Sequence, residues 1–312
     1  MSGPILVVGH NSDWKKIYRI ERMQVGEVNR LDELHYVAAG KGANTTRALT
    51  CMGERALLVG YAGGDNGSRF LRALREEGIP HDFQRIREET RTCVTVLEAD
   101  RTTTELIEPS PAVTPEEVRA YEGRLFRRLR GARALIIAGT SLRGSPVDCY
   151  RRYVEAARRH AVPVVLDSYR DHGHRALEAC PQVLKINRRE LESLVGQALP
   201  DAGSRKAAYR SLQERFGVSW IVITSGSEAV EGYDGQRYFE VSPPRIEALN
   251  PIGSGDATTA GIAAGLARGE TLAEALRLGA AMGTANCLTL RTGQVDPGTV
   301  RRLVQDLAVR EL

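Results

Sequence analysis

Asn250-Pro251-Ile252-Gly253-Ser254-Gly255-Asp256-Ala257-Thr258-Thr259-Ala260-Gly261 is the stretch around which this chain is organised. Pro251 stops whatever precedes it. Gly253 and Gly255 leave the backbone free to turn and to approach a ligand closely. The small apolar run from Ala257 onward predicts a helix packed deep against its neighbours. A glycine turn opening into a helix is an anion site, because free N–H groups and the helix dipole both point at the turn. A carboxylate at Asp256 would repel a bound phosphate, unless its task is to take a proton from a nucleophile attacking that phosphate.

Upstream of this turn the chain alternates strands and helices. Ile5-Leu6-Val7-Val8-Gly9 is short and continuously apolar, as in a strand that a parallel sheet buries on both faces. Further strands are expected at 56–59, 134–138, 163–166, 183–186 and 220–223. A loop at 60–67 should lead from the first of these into a helix ending near Gly78. Thr114-Pro115-Glu116-Glu117 is a helix cap with proline in the first turn. Helices are also expected at 146–160 and 204–216. Asp234-Gly235 marks a hairpin turn, and everything after Asp256 reads as helix: 257–267, 272–290 and 297–309. This βαβα order implies a parallel sheet with right-handed crossovers.

Two segments break the alternation. Residues 14–39 read as strands with no crossover helix, as do 92–97 and 102–107 on either side of a turn. Together they predict a four-stranded lid formed by about 14–39 and 91–108, on a single domain spanning 1–312.

Composition bounds the rest. The chain has 312 residues, 42% hydrophobic and 26% charged, with 43 basic and 39 acidic residues for a net charge of +4. The basic pairs are scattered through helical patterns and read as solvated faces, not a nucleic-acid stripe. Five dispersed cysteines have no metal spacing and suit free thiols in a reducing compartment. No apolar run approaches a membrane span, and the N-terminus lacks the features of a signal peptide, so the expectation is a cytoplasmic protein. His172-Gly173-His174 has no third ligand nearby and reads as a surface loop.

Polar residues recur at strand ends, where open α/β sheets bind ligands. Asn11 and Asp13 follow the first strand, as hydroxyl-binding groups or as turn residues bonding their own backbone. Thr140 and Ser141 follow another strand, then Asp167, Lys185 with Asn187 and Glu190, and Thr224 with Gly226. Gly40-Lys41-Gly42-Ala43-Asn44 opens a helix. It forms either a second anion or polyol site, with Asn44 pointing the same way, or a glycine turn with an exposed lysine. In a phosphoryl-transfer reading, the 253–255 turn stabilises the moving phosphoryl group and Asp256 deprotonates the acceptor hydroxyl. Asn187 and Glu190 would organise magnesium, Glu190 through water. A dinucleotide reading would want its glycine turn after the first strand, and no Walker-type loop is present. Phosphoryl transfer on a fold without a P-loop is the reading these residues support.

At this point the chain resembles the ribokinase-like (PfkB) carbohydrate kinase family over essentially its whole length. Three motifs carry the resemblance: Gly253-Ser254-Gly255-Asp256, Gly40-Lys41-Gly42-Ala43-Asn44, and Lys185-Ile186-Asn187-Arg188-Arg189-Glu190. Thr90-Arg91-Thr92-Cys93-Val94, the 250–256 segment, Ala285-Asn286 and Thr292-Gly293-Gln294-Val295 are most similar to the tagatose-6-phosphate kinase and 1-phosphofructokinase branch. The resemblance implies a three-layer α/β/α fold with a mostly parallel central sheet and a small β-sheet lid. It implies ATP and Mg2+ as cofactors and a sugar phosphate of the fructose-1-phosphate or tagatose-6-phosphate type as acceptor. It also implies a homodimer through the lid.

Residue by residue, Asp256 is implied as base, with Gly253, Ser254 and Gly255 as anion hole. Asp13, Asn11, Gly40, Asn44 and Thr140 are implied on the sugar, and Lys41 and Arg91 on its phosphate. Lys185, Asn187, Glu190, Thr224, Gly226 and Asn286 are implied on the nucleotide side, with the loop before Gly293 near the adenine. The chain departs from the branch at His10-Asn11-Ser12-Asp13, which is closer to the Asn-x-Asp of ribokinases. It departs again at Gly139-Thr140-Ser141-Leu142-Arg143, at Ile186 and at Gly226-Ser227-Glu228-Ala229. The first two departures touch the sugar side. They keep open a kinase of an unphosphorylated sugar or nucleoside, and more distantly a non-catalytic sugar sensor on the same fold.

Overall fold

In the computed structural model, which describes residues 3–312, strands and helices alternate as the buried runs require. The chain begins with β1 (Ile5–Gly9), β2 (Asp13–Ile20), β3 (Glu33–Ala39), α1 (Lys41–Cys51), β4 (Ala56–Gly63) and α2 (Gly64–Glu76). It continues through β5 (His81–Ile86), β6 (Thr92–Glu98), β7 (Thr103–Ile107), α3 (Pro115–Leu129), β8 (Ala134–Ala138), α4 (Cys149–Arg159) and β9 (Val164–Asp167). Then come α5 (Asp171–Leu177), β10 (Val183–Asn187), α6 (Arg188–Val195), α7 (Ala202–Phe216), β11 (Trp220–Thr224), β12 (Val230–Tyr233) and β13 (Tyr238–Val241). The chain closes with α8 (Ser254–Arg268), α9 (Leu272–Cys287), α10 (Pro297–Asp306) and β14 (Val309–Glu311).

Ten strands form one sheet in the order β14-β13-β12-β11-β10-β9-β8-β1-β4-β5, and β3-β2-β6-β7 form a separate lid. From β11 to β5 neighbouring strands are parallel; β12, β13 and β14 add an antiparallel end. Every residue of β1 is buried. Alternation sends Leu6 and Val8 to one face, against α3 and α4, and Ile5 and Val7 to the other, against α1 and α8. The result is a three-layer α/β/α fold.

The sheet has a switch point. From β1 the chain moves outward to β4 and β5, then returns to the other side of β1 as β8 and proceeds to β9, β10 and β11. The loops leaving β1 and β8 therefore diverge, and a crevice opens beyond their carboxyl ends. Four helices start with reciprocal caps that satisfy their first free N–H groups: Thr114 with Glu117, Asn187 with Glu190, Asp201 with Ser204, and Thr271 with Glu274. A cap of this kind contributes about 1 kcal/mol. No helix among the described residues is long and apolar enough to cross a membrane.

Several expectations are corrected. Residues 60–67 are not a loop: β4 runs on to Gly63 and α2 starts at Gly64. The chain after Asp256 is not all helix, because Val309–Glu311 pairs with β13 at the sheet edge. His172-Gly173-His174 lies in α5, with Gly173 packed against Ser168 where a side chain would collide. β5, α5 and α6 were not anticipated.

Candidate active site

The glycine turn ends where expected, but the helix starts earlier. Gly253 takes φ 89° as the N-cap of α8, so Ser254, Gly255 and Asp256 form the helix's first turn. A side chain on Gly253 would meet the backbone of Gly293 and the side chain of Thr292, and the left-handed φ disfavours one in any case. The loop before the turn is tied to Cys287 O at the end of α9 and to the segment just beyond it. Asn250 Nδ2 donates to Leu290 O at 2.8 Å, and Asn250 Oδ1 accepts from Ile252 N at 3.0 Å.

Asp256 is buried and hydrogen-bonded: Asn44 Nδ2 donates to its Oδ2 at 2.8 Å. Asn44 is fixed in turn, its Oδ1 accepting from Thr292 Oγ1 at 2.8 Å. Burial pushes the Asp256 carboxyl up to about 6. The Lys41 charge, the Asn44 bond and Lys185 oppose that rise, while Asp167 adds to it. A carboxylate poised there can accept a proton near neutral pH.

Behind it lies a charge cluster in which Asp167 and Lys185 are buried and Lys41 is partly exposed. Asp167, at the end of β9, accepts from Lys41 Nζ at 2.6 Å, Lys185 Nζ at 3.4 Å and Thr259 Oγ1 at 2.6 Å. Burial alone would raise the Asp167 carboxyl, but Lys185 and Lys41 hold it down to about 2. Lys41 is held above its ordinary value: burial opposes its charge, but Asp167, Asp256 and Glu190 outweigh that. The two lysines and the first turn of α8 thus concentrate positive potential beside Asp256, as a transferring phosphoryl group requires. Lys185 lies against Gly255, whose missing side chain leaves the ammonium its space.

A second group gathers at the switch point. Asn11 Nδ2 donates to Thr140 Oγ1 at 3.0 Å. Asp13 is buried, with Oδ1 lacking a protein partner, as does Asn11 Oδ1. Burial raises the Asp13 carboxyl against the pull of Lys15 and Arg91. Gly40, at φ 102°, packs against Asn11 O and Ser12. Arg91 lies near enough to bias Asp13. Its Nη1 donates to Glu108 O at 3.5 Å and its buried Nε has no partner.

The third feature is a cavity of about 450 Å3. Thr224 and Gly226 line it at the end of β11, Ser254 and Gly255 at the start of α8, and Ile246, Ala280 and Cys287 give it apolar walls. Such a cavity suits an aromatic base at one end and phosphates at the helix N-terminus.

The remaining expected residues are placed differently. Asn187 Oδ1 accepts from Glu190 N at 2.9 Å, and Glu190 Oε2 accepts from Asn187 N at 2.8 Å. Their spacing is a capping box, which leaves Glu190 able to reach a cation only through what its carboxylate has left over. Asn286 does not line the cavity. It is fully buried, donating to Ile252 O and accepting from Gly293 N, and so it clamps two loops. Gly293 packs against the Asn44 backbone on the Asp256 side, not beside the apolar cavity. Arg143, in the 139–143 segment that departs from the branch, donates to Ser110 O at 2.7 Å and pairs with Glu88.

Sequence reading missed the hub role of Asp167, the Thr259 and Thr292 bonds, and the cavity wall formed by Pro243, Pro244, Arg245, Ile246 and Ala248. Asp167 was recognisable as a strand-end acid. The wall was not, because Pro243, Pro244, Ile246 and Ala248 carry no chemical signature.

A family profile described as pfkB family carbohydrate kinase matches residues 5–297. The chain belongs to that family and is a carbohydrate kinase. Among solved structures it is similar to phosphofructokinase-2 from Escherichia coli. That enzyme has been solved with potassium (TM-score 0.91), with fructose-6-phosphate (0.89) and in a tetrameric inhibited form (0.89). Each is 22% identical, over 97% of this chain and 99% of that one. It is also similar to a possible 1-phosphofructokinase from Thermotoga maritima, at TM-score 0.89 and 22% identity over 99% of both chains.

Proposed function

We propose that this kinase transfers the terminal phosphoryl group of ATP to a hydroxyl of a ketohexose phosphate, with Asp256 as general base. The fructose-1-phosphate and tagatose-6-phosphate types lead, with fructose-6-phosphate added by the E. coli relative. The observation that carries the reading is the placement of Asp256. It is a buried carboxyl raised to about 6, in the first turn of α8, held by Asn44 and faced by Lys41.

ATP with Mg2+ supplies the phosphoryl group and neutralises part of its charge. Thr224 and Gly226 would border the nucleotide, with Gly253, Ser254 and Gly255 presenting N–H groups to its phosphates. Lys185 adds charge at the same turn. Glu190 would touch the cation only through water, since its Oε2 already caps α6. Asn11, Asp13, Gly40, Asn44 and Thr140 would surround the acceptor hydroxyls, and Arg91 and Lys41 its phosphate. Asp256 takes the proton of the hydroxyl that attacks.

Arg91 is the stronger candidate for the substrate phosphate, because it forms no salt bridge among the described residues, whereas Lys41 is engaged by Asp167. That same engagement, together with the Lys15–Glu105 pair at 2.7 Å, favours a second reading. With most cations already neutralised, a neutral sugar or nucleoside could be the acceptor.

ADP release across fructose-1-phosphate, tagatose-6-phosphate, fructose-6-phosphate, fructose, ribose and adenosine separates the two. A ketohexose phosphate should have the highest kcat/KM. A neutral acceptor preferred over all three phosphates would overturn the first reading in favour of the second.

We also propose a homodimer through the lid. Tyr36, Lys16, Val94 and Leu106 lie in one cross-strand row, on the face opposite Asp13, Lys15 and Ile17. Leu34, Tyr36 and Leu106 are exposed there. A second copy of the same lid would cover them.

A further inference from the structure

The two loops that meet at the switch point are pinned by two side-chain bonds in adjacent positions. Asn11 meets Thr140, and His10 Nδ1 lies 2.8 Å from Ser141 Oγ. Ser141 Oγ is also approached by Cys149 Sγ at 3.7 Å. His10 is 1% exposed and caged. Its ring centroid lies 5.0, 4.8, 5.2 and 5.6 Å from those of Tyr61, Tyr121, Tyr150 and Tyr153. These four rings come from β4, α3 and α4, so a sheet strand and two helices packed on one face of the sheet converge on a single imidazole.

A ring so enclosed has little freedom to move. Burial, with a smaller contribution from His172, takes the imidazole down to about 3, so it is neutral at working pH. A neutral imidazole has one donor and one acceptor nitrogen, which suits a fixed hydrogen bond and not a charge-based role. On the other side of the same loop, Asn11 Oδ1 and Asp13 Oδ1 are buried acceptors with no protein partner. Buried acceptors of this kind call for donors, and they are two residues apart at the carboxyl end of β1.

We propose that His10 is a positioning residue for the acceptor sugar. Caged by four tyrosines and bonded to Ser141, it fixes the 10–13 loop so that Asn11 and Asp13 offer their free oxygens to neighbouring hydroxyls. The inference rests on the sugar-kinase reading above and adds a determinant of specificity to it. His10 acts through Asn11 and does not itself touch the substrate. This also gives a physical reason for the His10-Asn11-Ser12-Asp13 departure: the loop is anchored by an imidazole in an aromatic cage.

The test uses Ser141→Ala, which removes the partner and leaves the cage, and His10→Phe, which fills the cage and removes the nitrogen. His10→Asn, which returns a side-chain nitrogen near the same place, completes the set. With the best acceptor from the panel, Ser141→Ala and His10→Phe should each raise the sugar KM about tenfold, the size of one lost hydrogen bond. KM for ATP should stay within about twofold, and His10→Asn should recover part of the loss. The wild-type preference for the acceptor over a deoxy analogue should shrink in step, which a purely structural role would not produce. Should His10→Phe fail to fold, Ser141→Ala carries the measurement. An unchanged sugar KM in a folded variant that still phosphorylates the acceptor would overturn this inference alone. Absence of any phosphorylated acceptor in the panel would overturn the proposed acceptor readings and this inference together.

Discussion

Asp256 shows how one side chain acquires its chemistry from its surroundings. Its first-turn position puts it beside free N–H groups, which favour negative charge. Burial outweighs that and lifts the carboxyl to about 6. A raised folded-state value means the ionised form costs stability above that pH, a cost that vanishes below the ordinary value of 3.8. Only the ionised form can act as base. Turnover, as kcat/KM for the sugar, should therefore fall as pH drops through about 6, about tenfold per unit below it. A flat profile down to about pH 4.5 would mean that Asp256 is not the base. At this scale Asp256, Asn44 and Lys41 were legible as candidates, because each stands in a glycine-rich turn. Their partners were not. Asp167 lies 126 residues from Lys41, and nothing local in either segment announces the bond. The Asn187–Glu190 pair is ambiguous in sequence for a different reason. Spacing suited to a cation site is also the spacing of a helix cap, and the backbone N–H groups take both side chains.

At the level of elements, the switch point between β1 and β8 determines where the chemistry sits. The first strand was legible because an unbroken apolar run is what burial on both faces demands. β5 was not, because His81-Asp82-Phe83-Gln84-Arg85-Ile86 lies at the sheet edge and buries only Phe83 on one face and Ile86 on the other. β14 was hidden for a related reason: a three-residue edge strand continues an apolar spacing that reads as one more helical turn. The small residues of α8 were read as close packing, and the structure sets them against α9. A side chain on Gly261 would meet Gly279 Cα at 2.6 Å, so the two helix backbones touch. That contact holds α8, and with it Asp256, against the rest of the layer.

For the molecule as a whole, the lid and the body have different tasks. The body holds the charge cluster and the nucleotide-sized cavity. The lid contributes Asp13, Arg91 and the Lys15–Glu105 pair from its inner face, while its outer face carries the exposed Leu34, Tyr36 and Leu106. If that outer face is the proposed dimer contact, Tyr36→Asp with Leu106→Asp should convert a dimer to a monomer in sedimentation velocity. Sugar KM should rise while ATP affinity changes little. A protein that sediments identically before and after the double substitution would exclude the lid as its interface. The alternation of strands and helices and the lid segments were visible in the sequence, because periodicity is local, and the three layers came from the family resemblance; which sugar the site takes was not, because that depends on side chains from β1, β2 and β8 meeting in space. The most direct measurement is turnover by Asp256→Asn alongside ATP binding by the same variant. The expected result is a loss of about 10²-fold or more in kcat, as for a missing general base, with ATP affinity within about twofold of wild type. Near wild-type turnover in a folded Asp256→Asn protein would contradict the assignment of Asp256 as the base.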